Sequence, residues 1–147
     1  MANPQNFKNI LFDLGGVILD INVQATLKHF YEMGFPPELM QYPESMSTDV
    51  FFKYQTGKLD TAGFRNAIRK ISGVTMSDEA FDKAWNAMLL RIPKERTELI
   101  RRLSERYGLY LLSNTSPLHV KVFEPMYQQA AGVSMQQVFK KIYYSHE

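Results

Sequence analysis

Cysteine is absent from all 147 residues. This absence excludes thiol nucleophiles, zinc–thiolate sites and disulfide scaffolds. Long apolar runs are lacking as well, because no stretch approaches the ~18 apolar residues that a transmembrane helix needs. The N-terminal segment MANPQNFKN also lacks the apolar centre of a signal peptide. We therefore expect a cytoplasmic protein without a membrane partner.

An excess of one charge is lacking too. Seventeen Lys and Arg residues oppose fifteen Asp and Glu residues, which leaves +2 at pH 7. That excess is too small to indicate a nucleic-acid partner, and the basic residues between positions 91 and 106 alternate with glutamates, as on a solvated helix face. The composition is 45% hydrophobic and 22% charged, which is ordinary for a globular domain. A chain of this length supports one core with a small attached subdomain.

Two short apolar segments each end in small polar residues. Residues 9–12 (NILF) predict a buried strand that stops at Asp13, and residues 109–112 (LYLL) predict a second strand that stops at Ser113-Asn114-Thr115. Residues 142–145 are a third strand candidate. In an open parallel sheet, ligands bind beyond the carboxyl ends of the strands, so we expect the two polar groups on one rim. A carboxylate there can be a nucleophile or a metal ligand, and a hydroxyl with backbone N–H groups can hold an oxyanion.

The separation of the two strands predicts an insertion. A crossover between parallel strands needs only ~10–12 residues, but nearly a hundred residues lie between the two segments, and most of them have helical periodicity. We expect helix starts at Thr61 and Ser77 as N-caps and at Pro93 as a first helical residue. The predicted fold is α/β: an incomplete Rossmann-like parallel sheet of about three strands (residues 1–19 and 93–147) with an inserted all-helical cap (residues 20–92).

The two strand ends resemble motifs of one known superfamily. Residues 10–17 (ILFDLGGV) look like the first motif of the haloacid dehalogenase (HAD)-like hydrolases, and residues 111–115 (LLSNT) look like their second motif. The insert is similar to the helical cap of the superfamily's first cap class. Within it, residues 56–61 (TGKLDT) resemble cap sequence in bacterial members that include sugar-phosphate phosphatases. The resemblance covers essentially the whole chain, with the motifs in the right order.

This resemblance implies a role for each matching residue. Asp13 would attack phosphorus and become an aspartyl-phosphate. Ser113 would hydrogen-bond a phosphoryl oxygen, assisted by backbone N–H groups near Leu14 and Asn114. A Mg²⁺ ion would bridge the Asp13 carboxylate and the phosphate, with the Gly15 carbonyl as a further hard oxygen ligand. The implied activity is hydrolysis of a small phosphorylated metabolite.

Gly15 departs from the superfamily's usual phosphatase pattern. Most such phosphatases have a second Asp at this position, which protonates the leaving group, and general acid help is typically worth ~10²–10⁴-fold. Some phosphatase members resemble this sequence in having Gly there. Because a departing halide needs no proton, Gly15 also leaves 2-haloacid dehalogenation open as an alternative activity.

The C-terminal end of the sequence is the second departure. Superfamily members continue to a third-motif Lys and an acidic fourth motif, whereas Lys140 and Lys141 precede the third strand candidate instead of following it. We therefore expect residues 1–147 to be a fragment that is inactive alone, with an exposed sheet edge that favours self-association. A catalytically silent binding or assembly domain is the alternative outside the enzyme class.

Several other residues have simpler interpretations. Asp20 and Asn22 fit a solvated linker between strand and insert. Phe51, Phe52 and Tyr54 form an aromatic cluster that is more often core than substrate pocket. A helix after Ser77 is predicted to carry one apolar stripe, which fits the core of the insert: Phe81, Ala84, Trp85, Met88 and Leu89. The three histidines, His29, His119 and His146, lack metal-ligand spacing and receive no role.

Overall fold

The computed structural model describes residues 7–40 and 49–147. Within those ranges it contains five β-strands, seven α-helices and one 3-10 turn (Pro37–Met40). In chain order the strands and α-helices are β1 (Asn9–Phe12), β2 (Asp20–Ile21), α1 (Val23–Glu32), α2 (Asp49–Gln55), α3 (Thr61–Ser72), α4 (Asp78–Asn86), β3 (Leu89–Arg91), α5 (Lys94–Ser104), β4 (Gly108–Ser113), α6 (Pro117–Ala131), α7 (Met135–Val138) and β5 (Lys141–Tyr144). No helix within the described ranges is long and apolar enough to cross a membrane.

A parallel sheet in the order β1-β4-β5 forms the centre of the fold. Phe12 of β1 lies opposite Leu111 of β4, and Ser113 of β4 lies opposite Tyr144 of β5. The two strands that the sequence places a hundred residues apart are therefore direct neighbours. The predicted α/β fold class, with a parallel sheet and an inserted helical region, is confirmed.

The two faces of this sheet have different surroundings. On one face, Leu109 and Leu111 are buried in a core that Ile100 of α5, Phe123 of α6 and Met135 of α7 complete. On the other face, Leu11, Leu112 and Tyr143 are 60%, 51% and 48% exposed. Within the described part of the chain, β1 pairs only with β4, so its outer edge is open. The sheet is thus covered on one side only, whereas parallel sheets are usually covered on both.

The inserted helices have an aromatic core of their own. Rings from all four helices α1 to α4 contribute, and Trp85 packs edge-on against Phe64 with 4.9 Å between ring centroids. The buried members are Phe30, Phe35, Tyr54, Phe64, Ile68, Phe81, Ala84, Trp85 and Leu118. Leu118 belongs to α6, so this cluster also contacts the helix that follows β4. Phe52 is exposed, while Tyr54 is buried, which favours the core interpretation of the aromatic segment.

A two-stranded antiparallel ribbon forms the base of the insert. Here β2 leads into the helices and β3 leads out, with Ile21 opposite Leu89. The helical stripe predicted to include Met88 and Leu89 is wrong at this end, because α4 stops at Asn86 and strand pairing recruits Leu89. The division into residues 1–19 and 93–147 on one side and residues 20–92 on the other stays a prediction.

Three predicted helix starts can be compared with the structure. Ser77 caps α4 as predicted, accepting a hydrogen bond from the Ala80 N–H. The predicted cap at Thr61 is wrong by one residue: Asp60 Oδ1 accepts from the Gly63 N–H at 2.7 Å, because a carboxylate there reaches the free N–H groups of the first turn. Pro93 is the N-cap of α5 and not its first helical residue.

Candidate active site

Asp13 is an exposed carboxylate at the carboxyl end of β1. Its Oδ1 accepts a hydrogen bond from the Leu14 N–H at 2.7 Å. Leu14 itself is buried and its carbonyl accepts from the N–H groups of Ile18 (2.8 Å) and Leu19 (2.9 Å). The turn is closed by Gly16, which has a φ of +74°. The Asp13 side chain is therefore exposed to solvent, while the backbone that follows it is fixed by the buried Leu14 and its hydrogen bonds.

The segment after β4 meets Asp13 at the same rim. Asp13 and Asn114 line one open cavity of about 410 Å³, with Leu11, Phe12 and Leu112 as the other lining residues. Ser113 ends the neighbouring strand and is buried. The structure thus brings Asp13 and Asn114 to one cavity and places the Ser113 backbone beside it.

Ser145, which follows β5, holds the backbone of the second segment. Its hydroxyl accepts from the Thr115 N–H at 3.0 Å and donates to the Thr115 carbonyl at 3.2 Å. Its N–H donates to the Ser113 carbonyl at 3.1 Å. We call residues 113–116 the strand-end loop. Its Thr115 N–H is engaged by the protein, whereas for the Asn114 N–H no protein acceptor occurs in the described ranges.

The Leu14 N–H, which the sequence assigns to phosphate binding, is engaged by Asp13. This hydrogen bond orients the carboxylate, and it leaves Oδ2 as the oxygen without a protein donor in the described part of the chain. A ligand oxygen at the Leu14 N–H has to replace Asp13 Oδ1 there. Among the described residues, the Asn114 N–H has no such competitor.

The oxygen atoms at this rim are of the chemical type that Mg²⁺ takes as ligands. Carboxylate and carbonyl oxygens, as offered by Asp13 and Gly15, are the hard ligands that Mg²⁺ takes together with water and substrate phosphate. Within residues 7–40 and 49–147, no group of three or more His, Asp or Glu side chains is placed to hold a metal ion. These residues therefore supply a partial ligand set.

Asp20, at the base of the insert, forms ion pairs with two arginines. Its Oδ1 lies 2.8 Å from Arg96 Nη1 and its Oδ2 lies 3.2 Å from Arg91 Nε. Burial raises the pKa of Asp20, but the hydrogen bonds from Arg96 and Arg91 outweigh it and hold the pKa below its ordinary value. Arg96 also donates to the Ile18 carbonyl at 3.3 Å. Asp20 thus connects the ribbon to the turn behind Asp13 and is not the solvated linker residue expected from the sequence.

A second polar group, which sequence reasoning missed, surrounds the start of α6. The Trp85 indole N–H donates to Ser116 Oγ at 3.2 Å. The rings of Trp85 and His119 stack with 5.1 Å between centroids, and His119 Nε2 lies 3.2 Å from the Trp85 carbonyl. Because a carbonyl only accepts, Nε2 carries the hydrogen. Burial lowers the pKa of His119 to about 4, so the imidazole is neutral at pH 7.

Tyr54 completes this group from α2. Its hydroxyl accepts from the Leu118 N–H at 3.3 Å and shares a hydrogen bond with Thr61 at 3.1 Å. Burial raises the pKa of the Tyr54 hydroxyl. Ser116 is the N-cap of α6. The residues of this group are scattered along the sequence and follow no motif, so the sequence offers no signal from which the group could be predicted.

Comparison with known proteins places this fold in a family. No family model matches the chain. It is 31% identical over 110 residues to the D-ribitol-5-phosphate phosphatase of Bacteroides thetaiotaomicron, covering 75% of this chain and 53% of that protein. The chain therefore spans about half the length of this curated relative.

Solved structures agree with that match. A HAD family enzyme from Bacteroides thetaiotaomicron, in complex with magnesium and inorganic phosphate, superposes with a TM-score of 0.85 at 32% identity, covering 96% of this chain and 70% of that one. A predicted HAD-like family hydrolase from Porphyromonas gingivalis gives a TM-score of 0.79 at 26% identity, covering 95% and 67%. An α/β core with a helical insert and an aspartate at the end of its first strand is the architecture of the HAD type. The chain belongs to the HAD family.

Proposed function

We propose that the protein containing this chain is a Mg²⁺-dependent phosphatase of a small phosphorylated metabolite. The observation that carries the proposal is the exposed Asp13 carboxylate, which lines one cavity with Asn114 at the carboxyl ends of two parallel strands. Support also comes from the solved relative that binds magnesium and inorganic phosphate. The curated relative is a phosphatase of D-ribitol 5-phosphate, which favours a polyol or sugar phosphate as substrate.

In the proposed reaction, Asp13 is the nucleophile. With Oδ1 held by the Leu14 N–H, Oδ2 attacks phosphorus in line while the bond from phosphorus to the ester oxygen breaks. The alkoxide leaves with a proton from water. Water then attacks the phosphorus of the aspartyl-phosphate, which releases inorganic phosphate and restores the carboxylate. The Asn114 N–H and the Ser113 hydroxyl would hold the phosphoryl oxygens during both displacements.

Asp13 and the Gly15 carbonyl would hold the Mg²⁺ ion. When bound there, the ion would offset the repulsion between the carboxylate and an anionic substrate. Further ligands have to come from outside the described residues, water or the substrate, because these residues supply a partial set. The helical insert would close over the rim and exclude bulk water.

A 2-haloacid dehalogenase is the second candidate function, and Gly15 is the observation that favours it. The residue at this position offers no acid to protonate an alkoxide, and a departing halide needs none. In that reaction the Asp13 carboxylate would attack the carbon that bears the halogen and displace halide, forming an ester; water would then hydrolyse this ester to the 2-hydroxy acid and restore the carboxylate.

We also propose that residues 1–147 alone lack turnover. Among the described residues that line the cavity, Asp13 is the only charged one, so these residues supply no cation to compensate the repulsion between nucleophile and phosphate. The open outer edge of β1 and the exposed face around Leu11 and Leu112 favour self-association of this stretch. Sedimentation that gives a clean monomer at high concentration would contradict the latter expectation.

The experiment is a substrate panel. Pentitol phosphates, sugar phosphates, para-nitrophenyl phosphate and chloroacetate are offered, with and without Mg²⁺, to the complete protein, to residues 1–147 and to the Asp13→Asn variant of each. We expect Mg²⁺-dependent phosphate release by the complete protein alone, and a loss of at least about 10⁴-fold on Asp13→Asn. Halide release without phosphate release would reverse the ranking of the two candidates, and turnover by residues 1–147 would contradict their proposed inactivity.

A further inference from the structure

The strand-end loop (residues 113–116) is held from two sides. Ser145 binds its Thr115 backbone from the β5 side. Trp85 reaches it from the insert, donating its indole N–H to Ser116 Oγ. The first anchor belongs to the sheet that carries the site, whereas the second belongs to the inserted helices. The loop is therefore the place where the insert contacts the proposed phosphate-binding segment through a specific hydrogen bond.

This second anchor is fully buried. Trp85 is 2% exposed and Ser116 is 1% exposed. A buried indole N–H or hydroxyl costs free energy unless it is hydrogen-bonded, so the pair specifies one distance and one orientation between α4 and the start of α6. The Trp85 carbonyl adds a second constraint between the same two helices, because it accepts from His119 Nε2 of α6.

Ser116 is also the residue that transmits the constraint. Its Oγ accepts the His119 N–H at 3.4 Å as the N-cap of α6, and it directly follows Ser113, Asn114 and Thr115 in the chain. The hydroxyl thus connects Trp85, the first turn of α6 and the loop. If the indole donor is removed, Ser116 loses its hydrogen bond to Trp85, and the backbone ahead of it gains rotational freedom.

We propose that Trp85 is a positioning residue that acts through Ser116 to hold the strand-end loop in its phosphate-binding geometry. The inference rests on the proposed phosphatase function. Trp85 is not among the residues that line the cavity with Asp13, so it takes no part in the chemistry. Through this contact, the placement of the insert sets the placement of the Asn114 N–H relative to the Asp13 carboxylate.

The first test is a double-mutant cycle on kcat/KM for para-nitrophenyl phosphate, using the complete protein. Trp85→Phe keeps an aromatic ring among Phe51 and Phe64 but removes the indole N–H, and Ser116→Ala removes the acceptor. We expect each variant to lose about tenfold in kcat/KM, since small misplacements of reacting groups are costly, and the double variant to lose no more than either single one. Inorganic phosphate should inhibit both variants more weakly by a similar factor.

The matched control is Ser77→Ala. Ser77 caps α4, the helix that carries Trp85, through the Ala80 N–H but contacts no part of the loop. It should lower the melting temperature as Ser116→Ala does, and leave kcat/KM unchanged. An active protein in which Trp85→Phe and Ser116→Ala retain wild-type kcat/KM, or in which their losses multiply, overturns the positioning role. If wild type shows neither turnover nor inhibition by phosphate, the phosphatase proposal itself fails.

The second test observes the hydrogen bond directly. Trp85 is the single tryptophan of the 147 residues, so its indole N–H cross-peak in a ¹H–¹⁵N spectrum can be assigned by its loss in Trp85→Phe. Adding inorganic phosphate with Mg²⁺ should shift this cross-peak in the wild type, and the shift should disappear in Ser116→Ala. The proposal is overturned if phosphate does not shift the cross-peak in the wild type, or if it shifts the cross-peak equally in Ser116→Ala. Both outcomes can be observed even where Trp85→Phe does not fold.

Discussion

The rim around Asp13 and the junction around Trp85 border the same short loop, but their construction differs. At the rim, a carboxylate stands exposed beside an open cavity. At the junction, Tyr54, Trp85 and His119 are buried, and each has a hydrogen-bond partner. Under the proposed function this contrast is a division of roles: the exposed group would carry the chemistry, and the buried groups would fix its geometry.

Acid should destabilise the junction through His119. The pKa of His119 is about 4 in the fold, below the value of ~6.5 expected when the chain is unfolded. Neutral His119 therefore stabilises the fold fully above pH 6.5, and this contribution disappears as the pH falls toward 4. We expect a loss of about 3 kcal/mol from this residue over that window.

The measurement for His119 is urea unfolding at pH 7 and at pH 4.5. The control is His119→Gln, which keeps an N–H donor in reach of the Trp85 carbonyl but does not titrate. The variant should lose less stability than the wild type between the two pH values. Equal losses in the two proteins would show that His119 does not control the junction.

A carboxyl group at position 15 should improve catalysis at the rim. The Gly15 backbone does not have a positive φ, and a Cβ there would meet Ile21 Cδ1 at 3.4 Å, an ordinary contact. Gly15→Asp should therefore fold and supply the missing general acid, raising kcat for alkyl phosphates by about 10²-fold. Para-nitrophenyl phosphate, whose leaving group needs no proton, should gain little.

The control for this variant is Gly16→Asp. Gly16 has a φ of +74°, so a side chain there is strained, and we expect lower stability without any gain in rate. Assays of kcat across leaving groups of different pKa would compare the two variants. An unchanged dependence on the leaving group in Gly15→Asp would contradict the assignment of position 15 to proton transfer.

The smallest expected effect is a difference in unfolding free energy between the substitution of a buried tyrosine and that of an exposed one. Tyr54→Phe deprives the Leu118 N–H of its acceptor and should cost about 1–2 kcal/mol of unfolding free energy. Tyr143→Phe, on the uncovered sheet face, should stay within about 0.5 kcal/mol of wild type. Paired thermal or urea unfolding curves test this difference, and equal effects at both positions would contradict the account of the junction.

The local patterns of the sequence were sufficient for the elements that build the rim. Apolar residues before Asp13 and Ser113 predicted β1 and β4, and the rule for parallel sheets predicted that their ends meet. The long helical separation predicted the insert. These features depend on neighbouring residues in the chain, or on topology rules that hold for most α/β proteins.

The junction could not be predicted because it depends on tertiary contacts. Trp85 lies in the core of the insert, as expected. The acceptor of its indole N–H, Ser116, lies 31 positions later in the sequence. His119 received no role because its burial and its stacking on Trp85 have no pattern in the sequence. Leu89 was predicted in a helix but lies in β3, because it pairs with β2, which is about seventy residues earlier in the sequence.

The most direct test of the account is to trap the covalent intermediate. The complete protein is mixed with a phosphate ester and Mg²⁺, quenched, reduced with borohydride and analysed by peptide mass spectrometry. An aspartyl-phosphate is reduced to homoserine, so the account predicts homoserine in place of Asp13, and no such change in Asp13→Asn. Phosphate release without modification of Asp13, or with modification at another carboxylate, would contradict it.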